Sequence, residues 1–197
     1  MISIVSGKVA KVSGSEKYSF VDVLTSLGIG YRIFVSKRSS FNEGANVVLY
    51  TSFQVREDNQ SLYGFPDMEE RDFFELLITV SGIGPKIGLA VLSMYSPSEI
   101  VGFILSGDAT NLSKVSGLGK KGAGKIVLEL ENRISGLDIK ISDTKVANKL
   151  IIRELKEALQ SLGFKGEALK SYLEKGEKLS KDVTELDQLL KLVLKHD

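Results

Sequence analysis

The chain has 197 residues, 43% hydrophobic and 26% charged, with 26 Lys and Arg against 25 Asp and Glu, the make-up of a globular chain with room for one large or two to three small domains. No Cys is present and the only His is His196, one residue from the end, so disulfides, thiolate metal sites and cysteine nucleophiles are excluded. No apolar run is long enough for a bilayer and MISIVSGKVAKV lacks the basic head and long apolar core of a signal peptide, so the expectation is a cytoplasmic chain with no membrane partner, no cofactor and no metal.

Residues 1–65 read as all-β. YSFVDVLTS (18–26), GYRIFVSK (30–37) and NVVLYTSFQVRED (46–58) are rich in β-branched and aromatic residues and partly alternate. Turn formers separate them at Ser13-Gly14-Ser15, Gly28–Gly30 and Asn42-Glu43-Gly44. Roughly five or six short strands in so short a segment favour a small closed barrel of the oligonucleotide-binding (OB) type, since closure removes exposed edges.

At Pro66 the period changes. MEERDFFELLITV (68–80) is helical, with acids in its first turn and Phe73, Phe74, Leu77 and Val80 on one side. An internal repeat follows: VSGIGPK at 80–86 returns as VSGLGKK at 115–121, 35 positions on. Each copy lies between helical segments, the following ones being PKIGLAVLSMY (85–95) and KKGAGKIVLELENRI (120–134). Acids outnumber bases over 66–135, yet Lys114, Lys120, Lys121 and Lys125 fall in a stretch without one acid. A local basic patch on a neutral chain suits a site that positions phosphates.

SGLDIKISDTKVAN (135–148) has weak periodicity and reads as a connection, with 144–148 as the linker proper. KLIIRELKEALQSL (149–162) is helical and ends at Gly163-Phe164; further helices near 166–174 and 183–195 complete a three-helix module. The domains so drawn are 1–64, 65–143 and 149–197.

VSGLGKKGAGK (115–125) fits three phosphate-binding patterns. Gly117, Gly119 and Gly122 spell the dinucleotide fingerprint, but what precedes them is more helix than strand. Gly119, Gly124 and Lys125 spell most of a P-loop, but Ile126 stands where a hydroxyl should meet magnesium. A helix-hairpin-helix turn uses every part. Gly117 and Gly119 free the backbone for a tight turn, and the helix from Lys120 presents unpaired N–H groups and its positive dipole end. Lys120, Lys121 and Lys125 add charge; Gly82, Gly84 and Lys86 repeat the arrangement, with Pro85 at a first-helical position. Val80 and Val115 would seat the turns on the core. Such a site contacts backbone phosphates and reads no base edges. The competing reading is that the glycines only let helices pack; two copies with Lys in register favour phosphate. A glycosylase would need an Asp shortly after the hairpin, and 122–137 has none.

With barrel, paired hairpins and helical tail in this order, the chain resembles the RuvA family, which binds Holliday junctions. The likeness is carried by VREDNQSLYGF (55–65), GIGPK (82–86) and GLGKK (117–121). It implies a DNA-binding subunit without a catalytic site, acting in recombination, repair and the SOS response. It also implies a homotetramer or a face-to-face octamer around four-way junction DNA, with RuvC resolvase in the same complex. The tail, resembling ubiquitin-associated (UBA) folds, would dock on the hexameric ATPase RuvB through apolar residues of the last helix: Leu189, Leu190, Leu192, Val193 and Leu194. Lys86, Lys120 and Lys121 match the family's phosphate-contacting lysines, and Lys125 stands where an Arg is common. Glu57 and Asp58 match its acidic pin; on the residues alone the solvated tip of a hairpin is the favoured reading, since acids in turns are ordinary. Gly122 and Gly124 depart from the family's better helix formers, which predicts fraying of that helix without DNA.

Overall fold

The structure is a computed structural model that describes the chain except residues 15–18, 58, 135–143, 181–182, 184 and 196–197. His196, Asp58 and most of the expected connection therefore lie outside the described residues. Five strands, β1 (Ile4–Gly14), β2 (Ser19–Leu24), β3 (Gly30–Val35), β4 (Asn46–Val55) and β5 (Gln60–Phe65), close a barrel in the order β1-β2-β3-β5-β4. β3 and β5 run parallel and the other pairs antiparallel, an OB-type arrangement. Strand alternation turns Val21 and Val23, Ile33 and Val35, and Leu49 and Leu62 inward. The expected strand 46–58 ends at Val55. There the Arg56 N–H donates to the Asn59 carbonyl at 2.8 Å and the chain returns as β5.

β5 serves two cores. Its Leu62 faces the barrel, as does Gly64, where a Cβ would stand 2.5 Å from Ile33 Cγ2. The alternate residues Tyr63 and Phe65 point out into the helical domain. Tyr63 stacks between Phe34 of β3 and Phe74 of the next helix, with ring centroids 5.4 and 5.2 Å apart, and Phe65 lies 4.9 Å from Phe74. Ser36 Oγ also donates to the Leu92 carbonyl, and the Lys37 N–H to Ser93 Oγ. The barrel and the helices are thus welded by aromatic stacking and hydrogen bonds.

The helical domain comprises α1 (Met68–Ile78), α2 (Pro85–Met94), α3 (Pro97–Ser106), the short α4 (Ala109–Leu112) and α5 (Lys120–Leu130). Asp67 caps α1, accepting from the Glu70 N–H at 2.7 Å; Ser96 and Glu99 form a capping box on α3. No single described helix is long and apolar enough to cross a membrane, and the apolar residues of α2 and α3 form core.

Glu70 carries a testable cost. It lines a groove of about 510 Å³ with Arg38, Asp67, Glu69 and Pro97. Burial first, then the neighbouring Asp67 and Glu69 charges, push its carboxyl up to about 7, with Arg38 opposing. A carboxyl raised in the fold is ionised at the expense of stability. The cost is absent below its ordinary range, grows as pH rises through the interval between the two values, and is complete above about 7. Glu70→Gln should therefore stabilise the protein at about pH 8 by about 1–2 kcal/mol, discounted for partial exposure, and have little effect near pH 4. Denaturant unfolding at both pH values checks this; equal gains at both would remove ionisation as the cause.

The tail forms α6 (Thr144–Ser161), α7 (Gly166–Leu179) and α8 (Leu186–Leu194). Two expectations need correcting. Residues 144–148, read as linker, are already helical, because α6 starts five residues before Lys149. Leu189 and Val193 are not surface residues: at i, i+4 spacing they pack with Ile151, Leu155 and Leu159 into the three-helix core. Leu190 and Leu194 are half-buried, leaving Leu192 as the exposed member of the five. The predicted helix end holds, with Gly163 at φ 91° and the Phe164 N–H donating to the Leu159 carbonyl.

Candidate nucleic-acid interface

The two Gly turns are built alike. In the first, the Ile83 N–H donates to the Val80 carbonyl at 2.9 Å; in the second, the Leu118 N–H donates to the Val115 carbonyl at 3.0 Å. Gly82 and Gly117 sit at φ 86° and 84°, the left-handed region where a side chain is strained. The equivalence extends well past the glycines: Leu77 and Leu112, Val80 and Val115, Ile83 and Leu118, and Val91 and Ile126 are all buried. Val80 and Val115 seat the turns as the sequence predicts. Ile83 and Leu118, the residues between the glycines, are equally buried seats that the sequence reading passed over, although G-I-G and G-L-G displayed them.

Beyond each turn a helix opens without a side-chain cap. Gly84 and Gly119 are the N-cap residues of α2 and α5, both extended, and neither can offer a side chain to the first-turn N–H groups. Pro85 occupies the first turn of α2. Both helix starts are therefore open to an anion.

Lys86, Lys120 and Lys121 are exposed at these helix starts. Lys125 differs from them: it is half-buried, and its Nζ donates to the Ser81 carbonyl in the first hairpin at 3.3 Å. Lys114 is exposed and donates to Asn111 Oδ1 at 2.6 Å. Two grooves meet at Lys86. One, of about 430 Å³, runs between the β4–β5 tip and the first hairpin and is lined by Gln54, Arg56 and Gly84. Arg56 reaches so far over the hairpin that a Cβ on Gly84 would lie 3.5 Å from its guanidinium nitrogen. The other, of about 470 Å³, lies between Lys37, α2 and the second turn at Val115–Gly117. Arg56 and Lys37 carried no sequence signal, since only barrel docking brings them beside the hairpins. Glu57 is exposed at the same β4–β5 tip.

α5 runs unbroken through both glycines that depart from the family pattern. At Gly122 a Cβ would come within 2.8 Å of Leu118 Cδ1 and 3.5 Å of Ile83 Cδ1, so this glycine lets α5 lie close to both turns. Gly124 faces open space. Gly124→Ala should thus raise stability by about 0.5–1 kcal/mol, read by thermal unfolding. A loss instead would mean that the position is crowded. Among the described residues no group of three or more His, Cys, Asp or Glu could hold a metal ion.

Fold and site together define a class: an OB-type barrel fused to a tandem of helix-hairpin-helix turns, followed by a small helical domain. Residues 1–64 match the family described as RuvA N terminal domain, and residues 74–132 match the SAM-like helix-hairpin-helix tandem. The chain is 40% identical over 159 residues to the Holliday junction branch migration complex subunit RuvA of Tropheryma whipplei (strain Twist), covering 78% of this chain and 80% of that protein. It is 39% identical over 160 residues to the protein of that name from Sulfurimonas denitrificans, covering 81% and 83%. With the Alkaliphilus oremlandii protein of that name it shares 45% over 114 residues, or 57% and 59%. The chain belongs to the RuvA family.

Proposed function

We propose that this chain binds four-way DNA junctions by their backbone phosphates, holds them open and delivers them to a motor for branch migration. The observation that carries the reading is the pair of matched hairpin turns. Each ends in an uncapped helix start with exposed lysine, and both are built on one core. Two such sites at fixed separation suit two points along a phosphate backbone, and a fixed pair recognises shape rather than sequence. Arg56 joins them from the barrel, beside the groove at Lys86.

Glu57, with Asp58, would stand at the crossover of the junction when four subunits assemble. Carboxylates facing converging phosphates lower affinity but disfavour the folded, stacked junction, leaving the open square form. Assembly as a tetramer or octamer, docking of the tail on a RuvB-type hexameric ATPase and company with a RuvC-type resolvase complete the proposal. For the motor contact the half-buried Leu190 and Leu194 and the exposed Leu192 are the candidates, in place of the buried Leu189 and Val193. ATP turnover belongs to the partner in this scheme; this chain positions and shapes the DNA.

The test is competition between an immobile four-way junction and linear duplex of the same arm sequences, at two salt concentrations and without ATP. Preference for the junction with steep salt dependence is expected. Equal binding would reduce the chain to a generic duplex binder, and no binding would make it an adaptor whose hairpins only pack.

A further inference from the structure

The two hairpins differ in one respect that their shared pattern hides. Three side chains of one stripe at the α5 end of the domain, at positions 125, 129 and 133, reach back to the first turn. Lys125 Nζ donates to the Ser81 carbonyl at 3.3 Å, Glu129 Oε2 accepts from the Ser81 N–H at 3.4 Å, and Arg133 Nη1 donates to Thr79 Oγ1 at 2.7 Å. Thr79 Oγ1 in turn donates to the Leu76 carbonyl at 2.7 Å, tying the stripe to the end of α1. Both peptide groups of Ser81 are thus engaged by side chains that follow the second hairpin. Ser116, the equivalent of Ser81 in the second turn, receives no such side chain among the described residues.

We propose that Lys125, Glu129 and Arg133 form a positioning strap that sets the height and angle of the first hairpin turn relative to the second. The proposal rests on the phosphate-binding reading above and refines it. Spacing of four residues puts Lys125 and Glu129 on one face of α5, and Arg133, in the turn just past its end, continues that stripe, which spans the two motifs. Gly122 lets the start of α5 approach Ile83, so the strap acts across a short gap. A rigid pair of phosphate sites binds better than two loose ones, because the ordering is done before DNA arrives. Lys125 here acts through the Ser81 carbonyl rather than as a free cation. Glu129 is the informative member, because its charge and its geometry predict opposite results. Removing an acid near a phosphate site should tighten DNA binding on charge alone. Removing the acceptor that holds Ser81 should weaken it.

The experiment measures junction binding over a salt series for the wild type, Glu129→Ala and Glu129→Gln, together with thermal unfolding of each. Expected is a roughly tenfold loss for the alanine variant, with the salt slope reduced by about 0.9 as one phosphate contact is lost. Glutamine can still accept from the Ser81 N–H, so Glu129→Gln should bind at least as well as the wild type. Thr79→Val, which removes the acceptor for Arg133, should weaken binding in the same direction and keeps the test open should the alanine variant unfold. An alanine variant that binds as tightly as the wild type or tighter would overturn the strap. So would equal losses in the alanine and glutamine variants, because glutamine keeps an acceptor for the Ser81 N–H and should hold the turn if that hydrogen bond sets it. Failure of the wild type to prefer a junction would instead overturn the underlying reading, so the two failures are separable.

Discussion

Reversing Lys120 and Lys121 together to Glu is expected to abolish junction binding while leaving the fold intact. Both lysines are exposed at the start of α5, behind an N-cap glycine that supplies no side chain to the open N–H groups. A hydrogen bond from a charged donor is worth about 1.5–3 kcal/mol, so two lost contacts predict at least a hundredfold weaker binding at about 1.4 kcal/mol per decade. Repulsion from two new acids adds to the loss and flattens the salt dependence. Stability should not follow. Acids in the first turn of a helix complement its dipole, and each should hold α5 slightly better, by about 0.3–1 kcal/mol. Weakened binding with an equal or higher melting temperature therefore isolates the phosphate contact. Undiminished binding by the double variant would sink the assignment of the second hairpin. Lys125→Glu is a different experiment, since this lysine is bonded to Ser81 and its loss acts on the first turn.

Much of this arrangement was legible because it rests on local chemistry. The repeat at 80–86 and 115–121 announces itself through glycines that only a left-handed turn requires, and Pro85 and Lys120 mark helix starts at positions that the structure shares. The barrel was legible as a class but not strand by strand. β1 escaped notice because it buries little beyond Val5 and Val9, its register breaks between Val9 and Lys11, and its other apolar residues, Ile4 and Val12, are exposed among small and charged ones. The polar tip at Glu57 was legible as a turn between two strands, but the bounds were not, since no glycine or proline marks where β4 ends and β5 begins. What lay furthest from reach was pairing at a distance. Arg56 over Gly84, Glu129 on Ser81 and the burial of Leu189 and Val193 depend on how elements dock, and local pattern is blind to that. An apolar stripe on the last helix was visible; which residues of it would remain outside was decided by α6.

Phe74→Ala is expected to produce the largest loss of stability. Phe74 is fully buried at the junction of the two domains, stacked on Tyr63 at an interplanar angle of 27° and tilted against Phe65. α2 packs on the same ring through Gly88, where an added Cβ would lie 3.3 Å from Phe74 Cδ2. Truncating a buried Phe costs about 3–5 kcal/mol in lost transfer energy and residual cavity, and broken aromatic pairs add to this. For a chain of this size that is a fall in melting temperature of about 10 °C. The functional consequence comes from the location: Tyr63 and Phe65 belong to the strand that follows the β4–β5 tip, and Gly88 to the helix that opens at the first hairpin. Loosening their common anchor frees the tip and the hairpin to move separately. Junction binding measured well below the melting point should then fall, although Phe74 is itself fully buried. A single cooperative transition shifted downward would fit one welded body. An unchanged melting temperature would mean that barrel and hairpins do not share this core, and the fixed spacing on which the phosphate reading depends would lose its physical basis.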